Sequence, residues 1–233
     1  MEYQDRHVVV TGGTGALGTA VVGALLEAGA VCHVPYRSEH AAKRFPHADN
    51  KKVSLVAVGD LADEVAVTDF YGGLDRLWAS VHIAGGFAFA PIATSDKALL
   101  LGQLNANLVS AYLCSRAAVA AFKRAGAGGR IVNVAARQAL EPRLGAGLTA
   151  YAVAKAGVAA LTVALGEEIA KDDVLVNAVA PSIIDTPDNR KSMPTANFDA
   201  WPKVEEVAAA IVFLASPQNK VTRGAILAAY GKF

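Results

Sequence analysis

The chain has 233 residues, a formal net charge of +1 at pH 7, 53% hydrophobic residues and only 7% aromatic residues. This length fits one large domain or two small ones. The charge is near neutral and the chain has no run of lysine or arginine, so nothing favours binding to nucleic acid or to an acidic membrane surface. Because alanine, valine and leucine dominate the apolar residues, the composition favours parallel strands covered by helices on both faces.

The N-terminal segment is charged and leads directly into a predicted strand, without the apolar stretch of a signal peptide. No apolar run approaches the roughly 20 residues of a membrane span. We therefore expect a soluble, cytoplasmic protein. Cys32 and Cys114 lie in separate apolar segments without flanking metal ligands, so we expect two reduced, buried thiols and no metal site.

A glycine-rich loop follows the first predicted strand, residues 7–10, and precedes a helical run. Glycine lets the backbone approach a pyrophosphate, and the following helix offers unpaired N–H groups and the positive end of its dipole. This order predicts a phosphate-binding loop of a dinucleotide site. Its candidate residues are Gly12, Thr14, Gly15, Ala16, Leu17 and Gly18.

The second predicted strand, residues 30–34, leads to Tyr36 and Arg37. In a dinucleotide fold an acid at this tip holds the ribose 2′-hydroxyl, whereas an arginine suits a 2′-phosphate. No acid occupies the tip, so the sequence favours NADP(H) over NAD(H); the alternative is that Arg37 is a solvated loop charge. We expect His33 to be a strand residue with a satisfied ring and no catalytic partner or second ligand.

The fourth predicted strand, residues 74–83, ends in Ala84, Gly85 and Gly86. The missing side chains of the two glycines would let the backbone lie close to a ligand. Phe87 and Phe89 follow, either as the wall of a substrate pocket or as a cover for the end of the sheet. The third strand is predicted at residues 53–58, before a short helix at 64–71.

A long helix is predicted from Asp96 to Ala125, ended by Gly126. Its apolar residues cover most of the circumference, so one side is expected to meet the sheet and another a second subunit. Asn107 interrupts the apolar stretch. A buried amide there is either satisfied structurally or holds a water near an active site.

The fifth predicted strand, residues 130–134, and a long loop deliver the chain to the helix that contains Tyr151 and Lys155. A spacing of four places both side chains on one face of this helix, about one turn apart. A nearby cation would lower the pKa of the phenol toward the working pH and make it a usable proton donor or acceptor. The alternative is a helix with one aromatic residue and one solvated lysine.

A sixth strand at 174–179, a polar loop through residue 201, a helix at 204–215 and a strand at 225–229 complete the pattern. The loop is long enough to be a lid or binding loop. We predict an α/β fold: residues 1–233 form one Rossmann-type three-layer αβα domain with a parallel sheet of about seven strands.

These motifs, in this order along nearly the whole chain, resemble the short-chain dehydrogenase/reductase family. The resemblance implies an NAD(P)H-dependent oxidoreductase with a small-molecule substrate and with Tyr151, Lys155 and Asn107 as catalytic residues. Tyr151 and Lys155 would also contact the cofactor. The other implied cofactor contacts are Asp60 and Leu61 near the adenine, the turn at Ala84, Gly85 and Gly86, and Pro181, Ile184 and Thr186 near the nicotinamide.

The sequence departs from the family pattern at three places. Ala16 stands where many members have a glycine, His82 and Ile83 replace a pair of asparagines, and Ala136 stands where the catalytic serine is expected. Either Gln138 or Thr149 could replace the missing hydroxyl.

The loss of the serine is similar to the quinoid dihydropteridine reductase branch of the family. The most specific match to that branch is the segment Asp185-Thr186-Pro187-x-Asn189-Arg190-Lys191-Ser192-Met193-Pro194 followed by Trp201. This resemblance implies hydride transfer to a small quinonoid or carbonyl substrate, although Arg37 departs from the acid usual there.

The alternatives are a general ketone or alcohol dehydrogenase of a metabolic pathway and a non-enzymatic NADP(H)-binding sensor. We expect a homodimer or homotetramer formed through the long helices 96–125 and 150–170.

Overall fold

Seven parallel strands form one sheet in the computed structural model, which describes residues 2–232. The strands are β1 His7–Thr11, β2 Val31–Tyr36, β3 Val53–Ala57, β4 Leu77–His82, β5 Gly129–Val134, β6 Val174–Pro181 and β7 Ile226–Ala229. Their order in the sheet is β3-β2-β1-β4-β5-β6-β7, and all neighbouring pairs are parallel. The predicted α/β fold with a seven-stranded parallel sheet is confirmed.

Helices cover both faces of the sheet. They are α1 Ala16–Glu27, α2 Glu39–Lys43, α3 Glu64–Gly72, α4 Lys97–Gln103, α5 Ser110–Ala125, α6 Arg137–Leu140, α7 Thr149–Glu168, α8 Pro187–Ser192 and α9 Val204–Ala215. Helices α1 and α9 pack together in one apolar cluster, whereas α3 and α5 belong to a second cluster. The inner strands β1, β4, β5 and β6 are buried because both faces are covered, which explains their high content of apolar residues. The edge strands β3 and β7 are partly exposed.

The strand order reverses between β1 and β4. The chain builds outward from β1 to β3 and then returns to place β4 on the other side of β1. In parallel sheets, ligands bind in the crevice at the carboxyl ends of the strands where the order reverses. The glycine loop after β1 and the Ala84–Gly86 turn after β4 both lie at this crevice.

The long helical segment predicted from Asp96 to Ala125 is confirmed, because residues 97–125 are helical without a break, but the segment is not α-helical throughout. Asp96 caps α4 by accepting a hydrogen bond from Leu99 N at 2.8 Å, and Gly126 ends α5 with φ of 63°, as predicted. Between the two helices, Leu104–Val109 forms a π-helical turn. Such turns shift the register of the backbone by one residue and are common at functional sites.

The expectation that no apolar run approaches the length of a membrane span is wrong for helix α7. It has 20 residues and is long and apolar enough to cross a membrane by length and composition alone. In the fold it packs against β6 and the π-helical turn, and it buries Lys155. A helix that forms part of a protein core passes the same length and hydropathy test.

Three further side chains were predicted individually. Cys32 and Cys114 are buried and unpaired, as expected, and burial raises the pKa of each thiol to about 12. His33 is a strand residue with a satisfied ring, as predicted. Its Nε2 lies 2.9 Å from Nδ1 of His7 on the neighbouring strand, and the two rings stack with centroids 5.1 Å apart.

Candidate active site

The glycine loop leads from β1 into the N-terminus of α1. Gly12 has φ of 66°, and a β-carbon there would lie 2.7 Å from Ala84 N, so the close approach of two turns requires glycine. A β-carbon on Gly18 would lie 2.1 Å from the carbonyl oxygen of Gly12. A β-carbon on Gly15 would meet only Gly12 O, at 3.4 Å, and would project into open space beside the loop.

Gly15 is also the N-cap of α1, and no side chain caps this helix end. The first turn contains no acidic residue. The unpaired N–H groups and the positive helix dipole therefore face the crevice without competition from the protein's own groups. This geometry fits the pyrophosphate of a dinucleotide.

A cavity of about 560 Å³ extends from this loop along the carboxyl ends of the strands. It brings together the predicted contacts from the first half of the chain. These are Gly12, Thr14, Gly15, Ala16, Leu17, Gly18, Tyr36, Arg37, Asp60, Leu61, Ala84, Gly85 and Gly86. Ala16 is thus accommodated in the lining where the family often has glycine.

Sequence reasoning missed several residues of the same lining: Pro35, Ser38, Ala41, Gly59, Ile83, Ala106 and Ser110. Most are sequence neighbours of predicted contacts. Gly59, with φ of 81°, had a readable signal because it is a glycine directly before Asp60. Ala106 and Ser110 had no such signal in the sequence, because the π-helical turn that contains Ala106 and precedes Ser110 was not predicted.

Charges of both signs lie near the rim of the cavity. Arg37 is exposed and forms no ion pair within residues 2–232, so its guanidinium is available to an anion. Tyr36 donates a hydrogen bond from its hydroxyl to Glu39 at 3.0 Å, which holds a carboxylate just beyond the lining. Asp60 accepts from Ala62 N at 2.9 Å.

Asn107 lies in the π-helical turn, buried to 2% exposure, and fastens this turn to the loop after β4. Its Nδ2 donates to the carbonyl oxygen of Gly86 at 2.9 Å and to that of Gln103 at 3.0 Å. Its Oδ1 accepts from Gly86 N at 3.3 Å. Both ends of the amide are therefore satisfied by protein groups, which is the structural alternative considered for this residue.

Gly85 completes the contact between this turn and α7. A β-carbon there would lie 2.6 Å from Asn107 Oδ1 and 3.6 Å from Lys155 Nζ. Three of the predicted site residues, Asn107, Gly85 and Lys155, thus pack directly against one another. The missing side chain at Gly85 is what permits the contact.

Tyr151 and Lys155 share one face of α7, as their spacing predicts. Lys155 is 5% exposed and donates from Nζ to the carbonyl oxygen of Val134 at 2.8 Å. Its Nζ lies 5.9 Å from the centroid of the Tyr151 ring. Phe87 packs edge-on against the same ring, with centroids 5.1 Å apart and planes at 76°.

The expectation that Lys155 lowers the pKa of Tyr151 is wrong for the protein chain itself. Burial raises the pKa of Tyr151 to about 12. Burial also lowers the pKa of Lys155 to about 8. Desolvation outweighs the attraction between the pair because the ammonium is directed at Val134 rather than at the phenol. Tyr151 therefore holds its proton at neutral pH.

A buried chain of hydrogen bonds lies beneath the site, where His82 replaces the family asparagine. Asn133 donates from Nδ2 to Thr162 Oγ1 at 3.0 Å, and Thr162 donates to Val158 O at 2.8 Å. This direction leaves Asn133 Oδ1 to accept from His82 Nδ1 at 2.8 Å. His82 Nε2 then accepts from Ser80 Oγ at 2.9 Å.

The chain continues from Ser80 to the hydroxyl of Tyr71 at 2.7 Å. Every group in it is buried, and burial lowers the pKa of His82 to about 4. The imidazole is therefore neutral, with its proton on Nδ1. Sequence reasoning recognised the substitution at His82 but not the network that accommodates it.

Ala136 lies between β5 and α6, 4% exposed, and its methyl group cannot donate a hydrogen bond. The two proposed replacements lie elsewhere. Gln138 and Thr149 line a separate groove of about 430 Å³ together with Ala152, Val153 and Ala156 of α7. Thr149 precedes Tyr151 by two residues, about 200° around a helix, so the two side chains project from opposite faces of α7.

The loop after β6 is held together by its own residues. Asp185 forms a two-point ion pair with Arg190 and a second ion pair with Lys203 at the start of α9. Arg190 stacks over the Phe198 ring at 4.8 Å, and Phe198 packs against the buried Trp201 at 5.0 Å. The loop is thus a folded segment anchored at both ends.

Of the predicted nicotinamide-side contacts, Pro181 is the last residue of β6, and Ile184 and Thr186 lie in this segment. All three lie outside the lining of the 560 Å³ cavity. Thr186 caps α8 by accepting from Asn189 N at 3.2 Å. The carbonyl oxygen of Ile184 accepts from Asn189 Nδ2 at 2.8 Å. Pro187 borders a neighbouring groove together with Thr14, which places the segment beside the glycine loop.

Comparison with known proteins identifies the class to which this fold and site belong. Residues 6–197 match the short chain dehydrogenase family, and the chain belongs to it. It is accordingly an NAD(P)-dependent oxidoreductase.

Among curated relatives, galactitol 2-dehydrogenase of Rhizobium johnstonii is 34% identical over 97% of this chain and 96% of the relative. Cis-4-hydroxycyclohexanecarboxylate dehydrogenase of Sinomonas cyclohexanicum is 32% identical over 99% and 97%. The reductase FabG of Vibrio harveyi, which acts on 3-oxoacyl-[acyl-carrier-protein], is 30% identical over 97% and 96%.

Solved structures agree with this family. An oxidoreductase from Burkholderia thailandensis superposes with a TM-score of 0.87 at 27% identity, covering 98% of this chain and 92% of the other. The NADP-bound form of ElxO has a TM-score of 0.87 at 24% identity over 98% of both chains, which shows the shared fold.

Proposed function

We propose that the protein is an NAD(P)H-dependent reductase that transfers hydride to a small quinonoid or activated carbonyl substrate without a catalytic serine. The observation that supports this most directly is that Tyr151 is a protonated, partly buried phenol whereas Ala136 presents only a methyl group. A proton donor is present, but the usual second donor to a substrate oxygen is absent. Electron-poor substrates need less stabilisation of developing negative charge, so they suit this arrangement best.

In this mechanism Tyr151 donates the proton to the substrate as hydride is transferred, and its hydroxyl is protonated throughout the neutral pH range. Bound NADPH supplies the hydride. Lys155 positions the nicotinamide ribose and, since its pKa of about 8 lies above neutral pH, is mostly cationic there. Asn107 holds the Gly85–Gly86 turn against Lys155.

We assign most of the cofactor contacts to residues that line the 560 Å³ cavity. The uncapped N-terminus of α1 binds the pyrophosphate, and Asp60 and Leu61 flank the adenine. Arg37 favours NADP(H) over NAD(H), because its guanidinium has no ion-pair partner within the described residues and lies at the ribose end. Pro181, Ile184 and Thr186 hold the nicotinamide side of the cofactor.

We place the substrate beside Tyr151, where Phe87 packs edge-on against the phenol ring. Phe87 is 64% exposed, so an aromatic face is available to a planar substrate beside the proton donor. The sequence of the loop after β6 is similar to the quinoid dihydropteridine reductase branch, and the small residue at Ala136 agrees with that branch.

We further propose a cytoplasmic homodimer or homotetramer formed through helices 96–125 and 150–170. Large apolar side chains such as Leu101 and Val153 are exposed on these helices, at 45% and 51%. Their burial in an interface would remove apolar surface from water. Light scattering coupled to size-exclusion chromatography measures the state directly.

A second candidate is an ordinary alcohol or ketone dehydrogenase. The names of the relatives favour it, because galactitol 2-dehydrogenase and cis-4-hydroxycyclohexanecarboxylate dehydrogenase act on simple alcohols. This enzyme would need a hydrogen-bond donor in place of Ala136, and the two side chains considered for that role, Gln138 and Thr149, line a different groove.

The decisive experiment is oxidation of NADPH with 9,10-phenanthrenequinone, an electron-poor substrate, and with cyclohexanone, a simple ketone. We expect turnover of the quinone and little turnover of the ketone. Tyr151→Phe should lower quinone turnover by about 10² to 10⁴ while NADPH binding is retained. Tyr112→Phe, at an exposed position on α5, is the matched control. Equal or better turnover of cyclohexanone would favour the second candidate, and binding of NADPH without oxidation would favour a sensor.

A further inference from the structure

The end of the chain lies against the segment 182–202, which follows β6. Residues 229–232, the C-terminal tie, consist of the last residue of β7 and the three residues after it. They leave the sheet at its carboxyl edge, where parallel strands place a ligand site. Ser182 donates from its backbone N–H to the carbonyl oxygen of Ala229 at 3.2 Å and from Oγ to that of Tyr230 at 2.9 Å. These two bonds fix the start of the segment.

The other end of the segment 182–202 is bonded to the same tie. The backbone N–H of Lys232 donates to the carbonyl oxygen of Ala200 at 2.9 Å. Gly231 has φ of 72°, and a β-carbon there would lie 2.5 Å from Ala200 O and 2.8 Å from Pro202 N. Glycine is therefore required both by the backbone conformation and by the close approach. One short stretch of chain thus fixes both ends of the segment.

The side chain of Tyr230 extends the tie to α6. The Cζ atom of Arg137 lies 4.7 Å from the centroid of the Tyr230 ring, which is a cation–π contact. Arg137 also forms a two-point ion pair with Glu141, with both distances at 3.1 Å. It is the first residue of α6 and directly follows Ala136. The tie therefore contacts the start of α6, next to the position of the missing serine, as well as the segment.

The segment carries two of the residues assigned to the nicotinamide side of the cofactor, Ile184 and Thr186. Its two ends are also joined to each other, because Asp185 N donates to the carbonyl oxygen of Pro202 at 2.9 Å. The position of Ile184 and Thr186 is therefore set at the base of the segment, where the tie is attached. Misplacement of reacting groups by about 1 Å can lower a rate by about 10².

We propose that the C-terminal tie is a positioning element for hydride transfer and that Gly231 is the residue on which it depends. The tie holds the segment 182–202 and α6 at the separation in which the nicotinamide lies against the substrate. It acts through these two elements rather than on the reacting atoms. This inference rests on the proposed reductase function, and it adds the end of the chain to the parts of the protein that determine the rate.

Gly231→Ala tests the inference, with Gly224→Ala as its matched control. Gly224 precedes β7 at the opposite edge of the sheet and has φ of 65°, so alanine is strained in the same way at both positions. The nearest neighbour of a β-carbon at Gly224 would be Val163 Cα at 3.9 Å. Both variants therefore carry the backbone strain, and only Gly231→Ala displaces the segment.

The rate constant of hydride transfer is measured by stopped flow in a single turnover, with 9,10-phenanthrenequinone and saturating NADPH. We expect Gly231→Ala to lower it by roughly 10-fold or more. The dissociation constant of NADPH should be nearly unchanged, because the tie does not line the cavity assigned to the pyrophosphate and the adenine. Gly224→Ala should react like the wild-type protein. Equal losses in the two variants, or a wild-type rate in Gly231→Ala, overturn the inference.

Two substitutions of Tyr230 keep the test decisive if Gly231→Ala does not fold. Tyr230→Phe retains the ring beside Arg137, and Tyr230→Leu removes it. We expect hydride transfer at the wild-type rate in Tyr230→Phe and at a lower rate in Tyr230→Leu. Where Gly231→Ala does not fold, a wild-type rate in Tyr230→Leu overturns the inference.

A second readout requires no substrate. The fluorescence of NADPH bound to the protein reports how firmly the nicotinamide is held. If no compound oxidises NADPH, the proposed reductase function fails, and this emission still decides the role of the tie. Stronger emission from NADPH bound to the wild-type protein and to Gly224→Ala than from NADPH bound to Gly231→Ala supports the inference, whereas equal emission from all three proteins overturns it.

Discussion

Lys155 donates a hydrogen bond from Nζ to the backbone carbonyl of Val134 at 2.8 Å, and this bond joins α7 to the end of β5. The ammonium is 5% exposed and has no carboxylate partner within the described residues. Burial without a counter-ion explains why its pKa falls to about 8. The bond also fixes the distance between the helix that carries Tyr151 and the turn that carries Ala136.

The buried ammonium should make the stability of the protein depend on alkaline pH. The pKa of Lys155 is about 8 in the folded state and about 10.4 in an unfolded chain. Between these values the unfolded chain binds more protons, so the free energy of unfolding should rise with pH, by up to about 3 kcal/mol for this group. Below pH 8 both states are protonated, and this contribution is constant.

The comparison is with Lys155→Met, which removes the titration and retains an unbranched side chain. Urea unfolding from pH 7.5 to pH 10.5 should show the wild-type protein gaining stability relative to the variant. The variant should be the more stable protein at pH 7.5 and inactive, since the ribose contact is lost. Parallel stability curves for the two proteins would show that the ammonium is solvated.

The buried, neutral His82 should make the stability of the protein depend on acidic pH. Its pKa of about 4 in the fold lies below the value of about 6.5 in an unfolded chain. As pH falls from 6.5 to 4, the unfolded chain takes up the proton first, so stability should fall by up to about 3 kcal/mol through this residue. The hydrogen bonds to Ser80 and Asn133 are lost if the ring is protonated and reoriented.

His82→Asn, which introduces the residue typical of the family at this position, tests this expectation. Free energies of unfolding are measured at pH 7.5, 6, 5 and 4.5 for both proteins. The variant should lose less stability on acidification than the wild-type protein, whatever its stability at pH 7.5. An identical loss in the two proteins would assign the acid sensitivity to other groups, such as the His7–His33 pair.

The glycine loop and the parallel sheet of about seven strands could be predicted because they follow from local sequence patterns and from the rules of parallel sheets. Gly12, Gly15 and Gly85 lie in the loops that follow β1 and β4, and parallel strands all end at the same edge. The π-helical turn at Asn107 could not be predicted, because a shift of one residue in helix register depends on tertiary contacts with Gly86 and leaves the composition of the helix unchanged.

The protonation of Tyr151 was predicted with the wrong sign for a related reason. The spacing to Lys155 gives the proximity of two charges but not their solvation, and here burial decides both pKa values. The network around His82 also lay beyond the sequence, since it joins side chains from β4, β5 and α7 that are distant along the chain.

Because Gly85 packs against Asn107, the substitution Gly85→Ala should strongly affect cofactor binding and catalysis. In Gly85→Ala the new β-carbon would lie 2.6 Å from Asn107 Oδ1, so either the turn or the amide must move. We expect weaker NADPH binding and at least a 10-fold loss of kcat, because a displacement of this size disturbs the position of Lys155. Fluorescence titration and initial rates measure the two effects.

Gly102→Ala is the control for this substitution. Gly102 lies in α4, and a β-carbon there would meet nothing within 4 Å. Alanine should stabilise the helix by about 0.5–1 kcal/mol without affecting catalysis. Similar activity losses in the two variants would mean that the helix, rather than the turn, is sensitive to substitution.

Arg37 should determine the choice between the two nicotinamide cofactors. Removal of its charge in Arg37→Gln should weaken NADPH binding by roughly 10-fold or more and leave NADH binding nearly unchanged, since a charge-assisted hydrogen bond to phosphate contributes about 1.5–3 kcal/mol. Dissociation constants for both cofactors at low and high salt measure the effect. Arg143→Gln, at an exposed position outside the cofactor cavity, is the control. Equal losses for both cofactors would place Arg37 at the pyrophosphate instead.

Ala136→Ser should broaden the substrate range toward simple ketones. A donor at this position stabilises negative charge on a substrate oxygen, and comparable donors in other enzymes contribute about 10² to 10³ in kcat. We therefore expect cyclohexanone turnover to rise by at least 10-fold and phenanthrenequinone turnover to change little, because the quinone needs less of this support.

The serine hydroxyl in Ala136→Ser could instead cap helix α6, because of the backbone conformation at this position. Ala136 is the N-cap of α6 with φ of −158° and ψ of 164°, so a serine there can also cap the helix and add about 1 kcal/mol of stability. Melting temperature and ketone turnover together separate the two roles. Ala135→Ser is the matched control, because Ala135 packs in an apolar cluster with Val158 and Ala178 and its hydroxyl would be buried away from the substrate. Higher stability of Ala136→Ser without ketone turnover would show that the hydroxyl turns to the helix and that Ala136 does not face the reacting oxygen.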